Sequence, residues 1–246
     1  MPIRFADLET ARKAPGLRLV LLTSAPSPWS DAVIALAAAK KLEALAVRMQ
    51  PGVPEIVRWS RVSNAPAALF EEEIPRSGWA EILALLERLA PGHVPAGDRV
   101  ELFGLAHELL GERGLAWARR AMLISRGLAT HGREGLPPQA AQFLMNRCGH
   151  APAEVDWARE RCLSLLQALD QRLANQPFFY QQLSALDVYC AACVNALLPL
   201  PESIRPLSPM ARAAFGWLDP AVAAAISPAL RSHRDRLAHL FQIDAA

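Results

Sequence analysis

The chain has 246 residues, enough for one large or two small domains with a buried core. Hydrophobic residues make up 52% and charged residues 20%, a composition that excludes an intrinsically disordered chain. A net charge of +2 gives no electrostatic basis for nucleic acid or an acidic membrane as the main partner.

No segment of the sequence predicts export or membrane insertion. The first 13 residues contain no continuous apolar run of the kind that a signal peptide needs. The longest uncharged stretch, residues 188–201, is too short to span a bilayer and ends in proline. We therefore expect a cytoplasmic protein.

Residues 17–36 predict a strand, a sharp loop and a helix, and the rest of the chain is organised around them. Residues 1–16 before them are predicted to be a short leader. An unbroken Leu-Val-Leu-Leu run indicates a buried strand, and the loop rich in Ser and Pro places Ser27 at the start of the helix. Free N–H groups at a helix start can hold an anion, so this junction is the first candidate site.

The next elements complete a small α/β unit. Strands are predicted at residues 45–49 and directly after Ala65-Pro66, with an irregular segment or a short helix over 53–61. A short fourth strand is predicted to start at Ile74. A helix with Ser77 as its N-cap is predicted to follow.

These patterns predict two domains of different class. The order β-α-β-(α)-β-β-α over residues 17–91 defines the first domain, and residues 92–97 are predicted to be a linker. Residues 98–246 show only helical patterns. Their clearest signal is Ser184 three residues before Asp187, an acidic variant of the capping box, which predicts a buried helix after Ser184.

Two further features are interpreted as structural. Cys190-Ala-Ala-Cys193 lies within a predicted helix, without a second such pair or a close histidine, so buried packing is favoured over redox or metal chemistry. Arg119-Arg120 and the basic cluster over residues 231–236 are interpreted as solvated faces. We therefore predict no metal site.

Three stretches, in the right order, resemble the cytosolic glutathione transferase superfamily over residues 17–241. Ser27-Pro28-Trp29-Ser30 is similar to the active-site loop of its serine- and cysteine-type classes. Ala65-Pro66 resembles the cis-proline of thioredoxin folds, and the helix capped at Ser184 resembles the capped buried helix of the family's C-terminal domain. The resemblance implies a thioredoxin-like α/β domain followed by an all-helical domain.

The resemblance also implies that glutathione is a co-substrate and that Ser27 is the catalytic residue. The thiolate is the nucleophile, and free glutathione with a thiol pKa of about 8.5 is mostly protonated at neutral pH. Ser27 would donate a hydrogen bond to the thiolate and would not itself be the nucleophile. Ser24 and Ser30 are alternatives within the same loop.

Five residues are expected to bind the rest of glutathione. A cis Pro66 would present the backbone of Ala65, beside Asn64, to the cysteinyl part. The Ser77 hydroxyl would bind the γ-glutamyl carboxylate. Arg76 departs from the acidic residue or glutamine that the family usually has here, and a guanidinium cannot accept a hydrogen bond from the ammonium group.

The resemblance implies a second substrate, an apolar electrophile, and a homodimer. For each residue expected around that substrate, the alternative interpretation is that it only packs within the helical core. A non-catalytic or ligand-binding member of the fold with a degraded glutathione site is the alternative function, because of Arg76. A glutathione-dependent isomerase or lyase is another. The second-substrate candidates are Trp29, Phe103, His107 and Trp117.

Overall fold

Among the residues that the structure describes, four strands form one mixed sheet. The structure is a computed structural model and describes residues 2–50, 53–92, 98–150 and 154–243. The strands are β1 (Ile3–Phe5), β2 (Leu17–Leu21), β3 (Ala44–Arg48) and β4 (Ala67–Phe70). Strand β2 pairs in parallel with β3 and antiparallel with β4, and β1 pairs in parallel with the other side of β3. The order across the sheet is therefore β1-β3-β2-β4.

Apart from the connecting loops, the rest of the described chain is helical. The first four belong to the α/β part, and the others follow it without any further strand in the described residues. The helices are α1 (Leu8–Lys13), α2 (Pro28–Ala39), α3 (Pro54–Ser60), α4 (Trp79–Leu89), α5 (Arg99–Leu110), α6 (Leu115–Ala129), α7 (Pro138–Cys148), α8 (Val155–Leu173), α9 (Ala185–Leu197), α10 (Pro209–Gly216), α11 (Pro220–Ala225), α12 (Pro228–Arg236) and a final 3₁₀ turn, Ala238–Phe241.

The strands predicted from apolar runs are confirmed as β2, β3 and β4, but the fourth predicted strand is wrong. At that place the chain forms one isolated antiparallel bridge between Ala68 and Arg76. Their two N–H to carbonyl distances are 2.8 and 2.9 Å. The chain turns just before this bridge: Glu71 has a positive φ of 45°, and the Glu73 N–H donates to the Phe70 carbonyl at 3.0 Å, so the pairing does not extend to Ile74.

The residues predicted as a leader supply both β1 and α1. Ile3 pairs with Ala44 and Phe5 with Ala46, so this segment extends the sheet. Helix α1 begins after Asp7, whose side chain accepts from the Thr10 N–H at 2.8 Å. The division into domains stays a prediction. Residues 93–97 of the predicted linker lie outside the described residues.

Helix α9 lies at the centre of the helical part, with all 13 of its residues buried. It packs against α2 of the α/β part and against α5, α6 and α12. The predicted capping box is confirmed, because Ser184 and Asp187 each bond the backbone N–H of the other. Cys190 and Cys193 face this core as free thiols, which confirms their packing role, and burial raises the pKa of both.

The interpretation of the arginine clusters as solvated faces is wrong for Arg119 and only partly right for residues 231–236, of which Ser232, Asp235 and Arg236 are exposed. Arg119 is only 2% exposed, and its guanidinium donates to the carbonyls of Ala196, Phe215 and Trp217 at 2.6–3.1 Å. Burial lowers its pKa to about 10. In the second cluster His233 and Arg234 are buried. Long side chains leave water when aromatic rings and free carbonyls surround them, which a local charge pattern does not reveal.

None of the helices in the described part of the chain is both long enough and apolar enough to cross a bilayer.

Candidate active site

The loop between β2 and α2 ends at Ser27, which is the N-cap of α2. Its backbone is extended (φ −131°, ψ 102°), and its Oγ accepts from the Ser30 N–H at 3.4 Å. Pro28 occupies the first turn, where its missing N–H costs no helical hydrogen bond. The hydrogen of the Ser27 hydroxyl has no acceptor among the described residues, so it remains available for donation.

The three loop serines differ in exposure and in bonding. Ser24 is exposed, and no described contact restrains its side chain. Ser27 is 5% exposed. Ser30 is fully buried, and its Oγ accepts from the Leu22 N–H at 3.0 Å. This arrangement favours Ser27 or Ser24 over Ser30 as the residue that meets a ligand.

Asp31 lies directly behind this loop, and sequence reasoning missed it. Its carboxylate accepts from the Ser27 N–H at 3.3 Å and from Asn195 Nδ2 at 3.3 Å. The Arg205 guanidinium donates to its other oxygen at 2.7 Å. Burial raises the pKa of Asp31, and Arg205 opposes this effect. The signal in the sequence is a single carboxylate in the otherwise uncharged segment 19–39.

The loop before β4 lies next to the Ser27 loop, because β4 pairs with β2. The Ala65–Pro66 bond is cis, which confirms the prediction. Val20, just before the Ser27 loop, pairs with Ala67, just after Pro66, so both loops leave the same end of the sheet. The structure therefore brings together the two places that the sequence singled out on separate grounds.

A cation from the helical part contacts this second loop, which sequence reasoning also missed. Arg147, in the last turn of α7, donates to the Ser63 carbonyl at 2.7 Å and to Asn64 Oδ1. Asn64 is exposed, so its backbone remains open to solvent. No local pattern could have shown this contact, since the two segments are far apart in sequence.

Arg76 and Ser77 line a groove of about 480 Å³ at the start of α4. Arg76 donates to Glu73 Oε2 at 2.6 Å, and Arg88 donates to the same carboxylate at 2.7 Å. These contacts lower the pKa of Glu73. Ser77 is exposed and is not the N-cap as predicted. Gly78 takes that place without a side-chain cap.

The same groove contains a carboxylate at the helix start. The Oε2 of Glu81 lies over Gly78, only 1.8 Å from where a β-carbon would stand on that glycine. A side chain at residue 78 would therefore displace the carboxylate. A negative charge is favourable at the N-terminus of α4, where backbone N–H groups are free. The groove thus holds a paired guanidinium and an exposed carboxylate.

The four predicted second-substrate residues fall into separate places. Trp29 and Trp117 flank the Arg120 guanidinium, whose carbon lies 5.0 and 4.6 Å from the two ring centroids. Trp29 Nε1 also donates to the Leu110 carbonyl at 2.7 Å, which ties α2 to the end of α5. Arg120 is thus held between two indoles and is not on a solvated face.

Phe103 and His107 do not join that group. The Phe103 ring lies 5.6 Å from the Trp79 ring, in a contact between α5 and α4. His107 is exposed on α5. Among the described residues, no hydrogen bond or ring contact joins either of them to Trp29 or Trp117.

No protein-family model matches the sequence. Part of the chain is 33% identical over 134 residues to the tRNA modification GTPase MnmE of Paracidovorax citrulli (strain AAC00-1). The match covers 47% of this chain and 26% of that protein, so the chain spans about a quarter of the length of this curated relative. The sequence contains no Gly-Lys pair and hence no P-loop of the Gly-Lys-Ser/Thr type.

Solved structures cover almost the whole chain. Glutathione transferase Omega 3C from Trametes versicolor superposes with a TM-score of 0.55 at 13% identity, over 97% of this chain and 94% of its own. The β-etherase LigF from Sphingobium sp. strain SYK-6 has a TM-score of 0.56 at 15% identity, over 90% and 99%. A glutathione transferase from Pseudomonas putida, with glutathione disulfide bound, has 0.53 at 16%, over 91% and 99%. The chain therefore has the glutathione transferase fold, a thioredoxin-like α/β part followed by helices.

Proposed function

We propose that the chain is a glutathione transferase, in which Ser27 stabilises the thiolate of glutathione for attack on an apolar electrophile. One observation carries the proposal: the Ser27 hydroxyl stands at the start of α2 with a free hydrogen, beside the cis Pro66 loop. Solved relatives of this fold with bound glutathione or glutathione disulfide support the choice of ligand.

The energetics fit a single hydroxyl at a helix start. Lowering a thiol pKa by about two units requires about 2.7 kcal/mol in favour of the anion. A hydrogen bond to a charged acceptor supplies about 1.5–3 kcal/mol. A helix N-terminus adds about 0.3–1 kcal/mol. The thiolate then forms a C–S bond with the electrophilic carbon, and either a leaving group departs with its electron pair or the product takes a proton from water.

The binding residues follow from the two loops and the groove. The backbone of Ala65, with Asn64 beside it, pairs with the cysteinyl part of glutathione as an added strand would. The Ser77 hydroxyl binds the γ-glutamyl carboxylate. Arg76 is already paired with Glu73, so Glu81 is the acidic group in this groove that can accept from the ammonium.

The second substrate binds where Trp29 and Trp117 offer aromatic surface. Phe103 and His107 are the weaker candidates, because no described contact joins them to these two residues. A cytoplasmic homodimer completes the proposal. Ile74 and Val100 are 80% and 85% exposed, and apolar side chains this open are suited to contact with a second copy. Analytical ultracentrifugation tests the dimer, and a monomer at micromolar concentration contradicts it.

A second candidate is a non-catalytic member of the fold with a degraded glutathione site. The observation that favours it is the charge arrangement in the groove, where the Glu81 carboxylate lies over the start of α4. This is the position that a γ-glutamyl carboxylate would otherwise use. A glutathione-dependent isomerase or lyase shares the first binding step and differs only in the substrate.

Calorimetry with glutathione separates these candidates. The transferase proposal expects binding at millimolar or lower concentration, and thiolate absorbance that appears in the complex below the pH needed for free glutathione. Ser27→Ala should abolish that absorbance, whereas the matched Ser24→Ala control should keep it. If Ser24→Ala loses the absorbance and Ser27→Ala keeps it, Ser24 is the donor. If the wild-type protein binds no glutathione, the non-catalytic candidate remains.

Glu81→Gln decides the role of the groove. If Glu81 accepts from the ammonium, the variant binds glutathione several-fold more weakly. If the carboxylate instead repels the γ-glutamyl carboxylate, the variant binds more tightly. Ser77→Ala is the control for the same end of the ligand, since it removes one donor without changing the charge.

A further inference from the structure

A buried ion pair connects the Ser27 loop to the helical part of the chain. Asp31 of α2 and Arg205, in the segment between α9 and α10, are each 1% exposed, and their closest N–O distance is 2.7 Å. Asn195 of α9 donates to the same carboxylate at 3.3 Å. Two residues of the helical part, 164 and 174 positions further along the chain, therefore meet at the carboxylate of Asp31.

Asp31 restrains Ser27 from both sides of its backbone. Its carboxylate accepts from the Ser27 N–H, and its own N–H donates to the Ser27 carbonyl at 2.7 Å. The Ser27 Oγ accepts only from the Ser30 N–H, at the long distance of 3.4 Å. The orientation of the hydroxyl thus depends mainly on where Asp31 holds the backbone.

The segment that carries Arg205 is itself fixed. Asn195 Oδ1 accepts from the Leu200 N–H at 2.8 Å. Arg212 donates to the carbonyls of Leu200 and Arg205 at 3.2 and 3.1 Å. Hydrogen bonds therefore hold the backbone at Leu200 and at Arg205 itself.

This cluster is a poor device for stability alone. The free energy needed to remove two charges from water offsets most of their mutual attraction. Apolar residues of similar size often stabilise a core equally well. The Nε and Nη1 groups of Arg205 are buried without a partner among the described residues, which adds to the cost. The ion pair does, however, restrict Asp31 to one orientation.

We propose that Asp31, Arg205 and Asn195 form a positioning cluster, in which Arg205 acts through Asp31 to fix Ser27 for its hydrogen bond to the thiolate. The inference rests on the proposed function for its chemical consequence. Its structural content, that a residue of the helical part orders the active-site loop, holds with or without glutathione.

Hydrogen exchange of the full-length protein tests the structural content. Arg205→Met removes the charge at similar volume, and we expect roughly tenfold faster exchange in peptides that cover residues 22–31. Arg205→Lys keeps the charge but loses the planar fork, and it should give a smaller increase. The double variant Asp31→Asn/Arg205→Met leaves no buried charge unpaired, so it tests the loop even if Arg205→Met folds poorly.

Arg119→Lys is the matched control. Arg119 is equally buried and also has an unpartnered nitrogen, but it contacts carbonyls of the helical part and not the Ser27 loop. Its replacement should leave exchange over residues 22–31 unchanged. Unchanged exchange in that segment for both Arg205→Met and the double variant would overturn the inference.

Titration of bound glutathione tests the chemical consequence. In Arg205→Lys, the pKa of the bound thiol, read from the pH dependence of thiolate absorbance, should rise by about one unit. This is a tenfold loss of thiolate at a pH below the pKa, while glutathione affinity changes much less. An affinity loss without a pKa shift would indicate a merely structural role and would overturn the inference. A wild-type protein that binds no glutathione contradicts the proposed function instead, and hydrogen exchange then still decides whether the cluster positions the loop.

Discussion

Two buried helices of this chain, α2 and α9, begin at a serine followed by an aspartate, and the two serine hydroxyls are used differently. At α9 the Ser184 hydroxyl donates to Asp187 at 2.6 Å, so its hydrogen is consumed within the cap. At α2 the Ser27 hydroxyl accepts from Ser30 and donates to no described residue. The nearby Asp31 takes the Ser27 N–H and the Arg205 guanidinium.

The difference comes from one residue of spacing. Asp187 is three positions after its serine, where a carboxylate reaches both the hydroxyl and the N–H of the N-cap. Asp31 is four positions after Ser27, where its Oδ2 accepts from the N-cap N–H at 3.3 Å and its Oδ1 accepts from the Arg205 guanidinium at 2.7 Å. The first cap is closed and structural, while the second leaves a donor at the helix start.

Removing Asp187 should give the largest effect, because the closed cap is part of the core. Its carboxylate accepts from the Phe179 N–H at 2.9 Å and faces His233 Nε2 at 2.9 Å, in addition to Ser184. Asp187→Ala leaves these buried groups unpaired, and we expect a loss of about 3–5 kcal/mol in the free energy of unfolding. Urea denaturation measures it, and a loss below about 1 kcal/mol would contradict the structural role.

Replacing the two serines should give the next largest effects. Ser184 should matter more for stability, and Ser27 should matter more for function. Ser184→Ala should cost about 1–2 kcal/mol, since it also removes a partner of a buried carboxylate. Ser27→Ala should cost about 0.5–1 kcal/mol, because its only accepted hydrogen bond is long. Parallel urea titrations of both variants give the comparison, and an equal cost would remove the distinction between a closed and an open cap.

Loss of the Trp29 hydrogen bond should have an intermediate to small effect. Trp29→Phe keeps the aromatic surface against Arg120 but removes the donor to the Leu110 carbonyl, and we expect about 1 kcal/mol of destabilisation. Trp117→Phe is the control, because the described structure gives Trp117 ring contacts and no hydrogen bond. If Trp29→Phe and Trp117→Phe unfold at the same urea concentration, the hydrogen bond from Trp29 to Leu110 does not stabilise the contact between α2 and the helical part.

Acid should lower the free energy of unfolding by a smaller amount, through His150, which contacts the Arg120 that packs on Trp29. His150 is buried and accepts from Arg120 at 3.2 Å, and burial first, then Arg120, lowers its pKa, while Glu154 opposes this. The unfolded chain takes up a proton near pH 6.5 and the folded chain does so only at lower pH, so stability falls as pH drops below about 6.5. His150→Gln should reduce this fall between pH 7.5 and 5.5, as measured by urea unfolding.

Local signals allowed much of the fold to be predicted. Apolar runs located β2, β3 and β4, and the spacing of Ser184 and Asp187 located the start of α9, since partners three residues apart meet in any helix. Strand β1 was missed because three residues give no readable alternation, and its partner β3 lies about forty residues further on.

The candidate site divides in the same way. The positions of Ser27 at a helix start and of Pro66 before a strand were predictable because turn chemistry and proline are local, whereas their roles rest on the family resemblance. Asp31 and Arg205 were not, because 174 residues separate them and neither has a local partner pattern. The assignment of Arg120 to a solvated face was wrong for the same reason, since one of its two indoles, Trp29, belongs to α2 and is far from Arg120 in sequence.

Strand β1 has a consequence for how the sheet avoids pairing edge to edge with another chain. It covers the outer edge of β3, an Ala-Leu-Ala-Val segment whose backbone would otherwise offer unpaired N–H and C=O groups to a neighbouring chain. The replacement edge is three residues long and carries the exposed charge of Arg4, and both properties discourage further strand addition. Residues 2–6 therefore cover the edge of β3. Deleting them would expose that edge to β-pairing with another chain and to aggregation.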